Sequence, residues 1–127
     1  MPITLEIDND RQCATFAMAG PFDANEVLQS LERQRNEGAW SYAVLFDTRR
    51  MTDSPTLDQV KHLFSVTGQP GPASEMRGPL ALLATDAALY SMACAYMALG
   101  GATRKIEVFR ELADAERWLD QHLRSTR

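Results

Sequence analysis

The stretch Lys105-Ile106-Glu107-Val108-Phe109, followed closely by Leu112-Ala113-Asp114-Ala115-Glu116-Arg117-Trp118-Leu119-Asp120, decides the fold. The first part reads as a short apolar strand. The second reads as an amphipathic helix. A strand passing straight into a helix predicts an α/β sandwich.

Upstream, the same alternation recurs. Ala43-Val44-Leu45-Phe46 and Leu80-Ala81-Leu82-Leu83-Ala84 are apolar throughout, which is the habit of central parallel strands buried on both faces. The helix before the last strand is capped by Asp86 and runs to about Leu99, with Gly100-Gly101 as its stop. Ser54-Pro55 predicts another helix start, with Ser54 as cap, and Leu57, Val60, Leu63 and Phe64 follow at helical spacing. Asp23 with Glu26 forms a capping box for the first helix, which closes at Gly38. Ahead of it, Ile3 to Asp8 alternates apolar and polar residues. Asn9-Asp10 is turn chemistry, and Cys13 to Met18 completes a hairpin that ends at Gly20-Pro21. The order ββαβαβαβα predicts a mixed, mostly parallel five-stranded sheet with an N-terminal antiparallel hairpin and helices on both faces. Gly68 to Gly78, rich in Gly and Pro, reads as the longest loop.

The 127 residues are expected to form one domain. With 45% hydrophobic and 24% charged residues, the composition is that of a globular protein. The net charge is −4 and the cations lie scattered among acids, so no nucleic-acid footprint is read. The start, Met1-Pro2-Ile3-Thr4-Leu5-Glu6, lacks the basic and apolar regions of a signal peptide, and the expected location is cytoplasmic. Cys13 and Cys94 stand in no metal-ligand spacing and are expected to be buried apolar residues; neither metal nor cofactor is expected.

Ligands of open parallel sheets bind beyond the carboxyl ends of the strands. Strand three is expected to end at Asp47-Thr48-Arg49-Arg50, strand four at Thr85-Asp86 and strand five at Arg110-Glu111. Asp47, Arg49, Arg50, Ser54, Asp86 and Arg110 are therefore the candidates for an anion site at this rim, near a helix N-terminus. The plainer reading is that the acids cap and brace loops while the arginines are solvated or pair with them; no glycine-rich phosphate loop accompanies them. His62 and His122 have no nucleophile partner in view, and no catalytic residue is assigned.

From Ala87 through Thr103 no residue is charged. A helix apolar all round needs burial on more than one side, and this one is too short for a bilayer, which needs about 20 residues. Leu89, Met92, Ala93, Tyr96 and Leu99 can face the sheet, leaving Tyr90, Cys94 and Met97 as candidates for a subunit interface. Alternatively the helix borders a pocket for an apolar ligand, with Met and Tyr as adaptable lining, or its small residues merely let it pack close.

The run Val44-Leu45-Phe46-Asp47, the helix after Ser54, the Asp86 helix and the ending Val108-Phe109…Ala115…Trp118-Leu119 together resemble the SpoIIAA-like group of STAS-type domains. The resemblance implies a small βα sandwich with an opening antiparallel strand. In the anti-sigma-factor antagonists of that group, a serine in a D-S-S-G-L motif is phosphorylated. Asp53-Ser54-Pro55-Thr56-Leu57 matches it at Asp53, Ser54 and Leu57, making Ser54 the implied phosphoacceptor; Pro55 and Thr56 depart from it. A lipid-exchange branch implies an apolar pocket instead. The expectation is a bacterial, non-catalytic regulatory or protein-interaction module, a homodimer through the 87–99 helix. A small apolar ligand or lipid carrier is the alternative, and an enzyme comes third.

Overall fold

β1 (Ile3–Asp8) and β2 (Cys13–Gly20) pair antiparallel, as the alternation of β1 predicts. β3 (Ala43–Met51), β4 (Leu80–Leu83) and β5 (Ile106–Phe109) add in parallel, giving the spatial order β1-β2-β3-β4-β5. The computed structural model describes residues 3–67, 78–100 and 104–125. Most of the expected Gly68–Gly78 loop and the Gly101 half of the helix stop lie outside these residues.

The helices are α1 (Ala24–Asn36), α2 (Leu57–Thr67), α3 (Ala87–Gly100) and α4 (Leu112–Ser125). Each crossover from β2 onward steps to the next strand in the same direction. A right-handed connection repeated in one direction puts every crossover helix on one face of the sheet. That face carries α1, α2 and α3, over Phe16, Met18, Val44 and Leu80. α4 follows the last strand and returns across the other face, setting Ala115 and Leu119 against Leu45, Ala81 and Leu83. Helices thus cover both faces, three against one. Ala43, Ala81 and Ala115, all at 2% exposure or less, let α4 approach closely.

β4 contributes Leu80 and Leu82 to the three-helix face and Ala81 and Leu83 to the other, which explains why its sequence is apolar without alternation. Phe16 and Phe46, partners in the β2–β3 register, stack at 5.8 Å. Phe16 is fully buried, so truncation there to Ala removes about 3–5 kcal/mol.

Two local expectations are corrected. β3 is longer than its apolar run Ala43–Phe46: the polar segment Asp47–Arg50, expected as its end, stays in the strand, which runs to Met51, because β2 also continues and pairs Ala19 with Arg50 and Gly20 with Met51 past a bulge. Nor is Ser54 the cap of α2. Thr56 is: its Oγ1 accepts from Gln59 N–H (3.2 Å), while Gln59 Oε1 accepts from Thr56 N–H (2.8 Å). This reciprocal pair satisfies two otherwise orphaned donors. Asp23 caps α1 and Asp86 caps α3 as expected, the latter accepting from Ala88 and Leu89 N–H. Cys13 is buried, but Cys94 is only half-buried.

Thr56→Ala is expected to cost about 1 kcal/mol in urea denaturation, and Ser54→Ala less than about 0.5 kcal/mol. The reverse ranking would return the cap to Ser54.

Candidate functional site

Three helices laid over five strands leave a partly open apolar cavity of about 110 Å³ between them and the sheet. Phe16, Met18, Val44, Phe46 and Leu82 form its floor. Val27 and Leu31 of α1 and Val60 and Leu63 of α2 form two walls. α3 supplies the third with Leu89, Met92, Ala93 and Tyr96. Ala93 stands among larger inward neighbours, and a methyl there leaves volume unfilled. Protein interiors rarely keep such voids. An apolar cavity of about 150 Å³ stays dry and accepts benzene, so this one suits one ring or a few methylenes.

The cavity reaches the carboxyl ends of β2 and β3, where Phe22, Thr48, Met51 and Pro55 line it. Thr48 keeps its hydroxyl satisfied by donating to the Leu83 carbonyl at 2.9 Å. Two bonds tie this end together: Thr52 N–H donates to Gly20 O at 2.9 Å, and Phe22 N–H to Asp53 Oδ1 at 2.7 Å. Asp53 therefore braces the β2–α1 turn against the β3–α2 loop.

The six rim candidates do not converge on one anion. Asp47 and Arg49 share one face of β3 and pair with each other, Arg49 donating from Nη2 at 2.8 Å and from Nε at 3.0 Å, with its backbone N–H adding 2.9 Å. Burial pushes the Asp47 carboxyl up, but the Arg49 bonds and the nearby Arg49 and Arg50 charges outweigh it and hold it below its ordinary 3.8. Arg50 is exposed on β3. Arg110 lies over the Tyr90 ring at 4.4 Å. Ser54 points its hydroxyl at the carbonyls of Pro55 (3.2 Å) and Ala88 (3.3 Å), beside the α3 cap made by Asp86. The bracing role of Asp47 and Asp86 is what the geometry displays.

The interface candidates on α3 are less exposed than their spacing predicts. Tyr90 is half-buried beneath Arg110, Cys94 is half-buried, and Met97 packs against the core. Leu99, expected to face the sheet, is 38% exposed instead. The inward set of Leu89, Met92, Ala93 and Tyr96 is as the spacing predicts. Sequence reasoning missed Phe16, Phe46, Thr48 and Arg104 as cavity wall. Only the register of β2 against β3 and the placement of α3 reveal them.

A second depression follows the β1–β2 turn and is lined by Glu6, Asp8, Asp10 and Arg11. Arg11 pairs there with Asp120. Burial pushes the neighbouring Cys13 thiol up, which makes it a poor nucleophile. His62 is exposed, and His122 packs on Trp118 at 4.2 Å between ring centroids, with Nδ1 2.9 Å from the Trp118 carbonyl. Among the described residues no cluster of His, Cys, Asp or Glu suits a metal ion, and no helix is long and apolar enough to cross a membrane.

A five-stranded mixed sheet, its first pair antiparallel and the rest parallel, with four helices is the arrangement of the SpoIIAA-like fold. The chain is similar in structure to an uncharacterised protein of the DUF3478 family with that fold from Shewanella loihica PV-4. The TM-score is 0.61, covering 92% of this chain and 91% of that one at 14% sequence identity. That likeness establishes the fold alone. No protein-family model matches the chain, and no curated protein matches its sequence.

Because Arg49 opposes the effect of burial on Asp47, Arg49→Met is expected to raise the Asp47 titration midpoint, followed by carboxyl-carbon NMR. In the unaltered chain the depressed pKa adds stability that is present above about pH 4 and lost as pH falls through the folded-state value. An unmoved midpoint would contradict the pairing.

Proposed function

We propose that this chain is a non-catalytic binding module for a small apolar ligand held between the sheet and α1, α2 and α3. The observation that carries this reading is the cavity itself. Its wall combines stacked Phe16 and Phe46 with Met18, Met51 and Met92, whose unbranched thioethers adapt to a guest. Ligand sites of this type are concave and mostly apolar, with few polar groups. At about 110 Å³, the space fits a ring or a short chain, and a whole lipid would have to extend outside it.

The regulatory or protein-interaction reading, with a phosphorylated Ser54 and a homodimer through α3, draws on the fold likeness and the Asp53-Ser54…Leu57 match. The half-buried Ser54 hydroxyl is turned toward backbone carbonyls, and two of the three interface candidates are engaged with their own chain. The weight of the geometry therefore lies with the cavity.

Toluene or indole is expected to bind, observed by ligand-detected NMR, and to raise thermal stability. At a hundredfold excess over Kd the gain is about 2.7 kcal/mol. Ala93→Leu, which fills the cavity from α3, is expected to weaken binding at least about tenfold while urea denaturation stays cooperative. Binding that survives in a folded Ala93→Leu chain would overturn the location, and no binding of either probe would overturn the reading.

A further inference from the structure

At the carboxyl end of the strands the cavity wall has one polar side chain among the described residues, Thr48. It follows Val44 and Phe46 at every second position of β3, so it stands on the face that carries the cavity floor. Tyr96 and Arg104 belong to the opposite end. There Tyr96 meets Phe64 edge to face at 6.0 Å, and Arg104 donates to the Gly78 carbonyl at 3.0 and 2.6 Å.

Thr48 is half-buried, and its proton has a fixed destination. The β3–β4 register ends with Asp47 beside Leu83, and just beyond it the Thr48 hydroxyl donates to the Leu83 carbonyl at 2.9 Å. A hydroxyl has one proton and two lone pairs. With the proton spent, Thr48 offers a guest acceptor capacity alone. The donors around it are spent in the same way. Phe22 N–H donates to Asp53 at 2.7 Å, Thr52 N–H to Gly20 O at 2.9 Å, and the Ser54 hydroxyl to the Pro55 and Ala88 carbonyls. Pro55, in the wall itself, has no N–H to give. These donors are all turned onto acceptors of the chain, and the end of the cavity is left as an accepting one.

We infer that the guest carries a neutral hydrogen-bond donor, the O–H of a phenol or a primary alcohol, which it gives to Thr48 Oγ1 with its ring or chain inside the cavity. This rests on the apolar-ligand reading above and adds the polarity and orientation of the guest. A carboxylate or a ketone would bring acceptors to a group that only accepts. An ammonium brings donors, but a charge in an apolar chamber costs far more than one hydroxyl acceptor returns. Phenol and alcohol share this chemistry; stacked Phe16 and Phe46 in the floor suit the ring, and the methionines suit either.

The test is calorimetric titration with two pairs of isomers, an O–H compound against an ether in each: para-cresol against anisole, and pentanol against butyl methyl ether. The O–H member is the better hydrated, so a wall with no acceptor for it favours the ether. In the unaltered chain the O–H member of the better-bound pair is expected to bind about threefold or more tightly, as a net neutral hydrogen bond allows. Which pair binds better tells the ring from the chain. Thr48→Ser, which keeps the hydroxyl, is expected to keep the preference. Thr48→Val, which keeps the shape without it, is expected to abolish or reverse it. Equal affinity or an ether preference in the unaltered chain overturns the inference and leaves the apolar-ligand reading standing, as does a preference that survives in Thr48→Val or is lost in Thr48→Ser. Failure of all four compounds overturns both. If Thr48→Val does not fold, orientation decides on the unaltered chain. The Thr48 methyl must then show nuclear Overhauser contacts to the ring protons beside the O–H of bound para-cresol, and contacts to its methyl end instead overturn the inference.

Discussion

Everything in this molecule depends on the monotonic, right-handed climb from β2 to β5. Three successive crossovers in one direction leave α1, α2 and α3 no choice of face. The remaining described helix, α4, closes the opposite face, setting its own Ala115 against small sheet residues at Ala43 and Ala81. The two sides of the sheet are therefore unlike. One is a thin, tightly packed layer. The other is a canopy of three helices whose inward residues do not fill the span, and the cavity is the remainder.

Much of this was legible in the sequence, and the reason differs between elements. The strands announced themselves through pattern: alternation in Ile3–Asp8, where one face is wet, and uninterrupted apolar residues in Leu80–Leu83, where both faces are dry. Asp23 and Asp86 marked helix starts because a short carboxylate beside free N–H groups has few other uses. Ser54 misled for the same reason. Ser54-Pro55 is a reasonable start signal, but Thr56 and Gln59 make two reciprocal bonds, while the Ser54 hydroxyl donates to the Pro55 and Ala88 carbonyls instead. The end of β3 was misread because its last residues are polar. Pairing with an extended β2 keeps Asp47–Met51 in the sheet although Arg49 and Arg50 face solvent.

The site was only half legible. The absence of charge from Ala87 to Thr103 marked α3 as unusual, and its inward residues followed from helical spacing. What a period cannot tell is whether the partner surface fills the space opposite. That depends on Phe16, Phe46 and Leu82, which come from three strands brought together only by register. Arg104 looked like one of several scattered cations. Its position on the cavity wall is a product of where α3 ends and β5 begins. Among the rim residues, the bracing contacts that the sequence also allowed are present for three acids: Asp47 with Arg49, Asp86 with the amides of α3, and Asp53 with Phe22.

Xenon enters dry apolar cavities without needing a polar partner, so it probes the chamber apart from any view of its natural guest. Crystals of the chain pressurised with xenon should show a single strong site bounded by Phe16, Phe46, Met92 and Tyr96, with the surrounding backbone unmoved. An interior in which α3 has settled onto the sheet and no xenon site forms there would contradict the account.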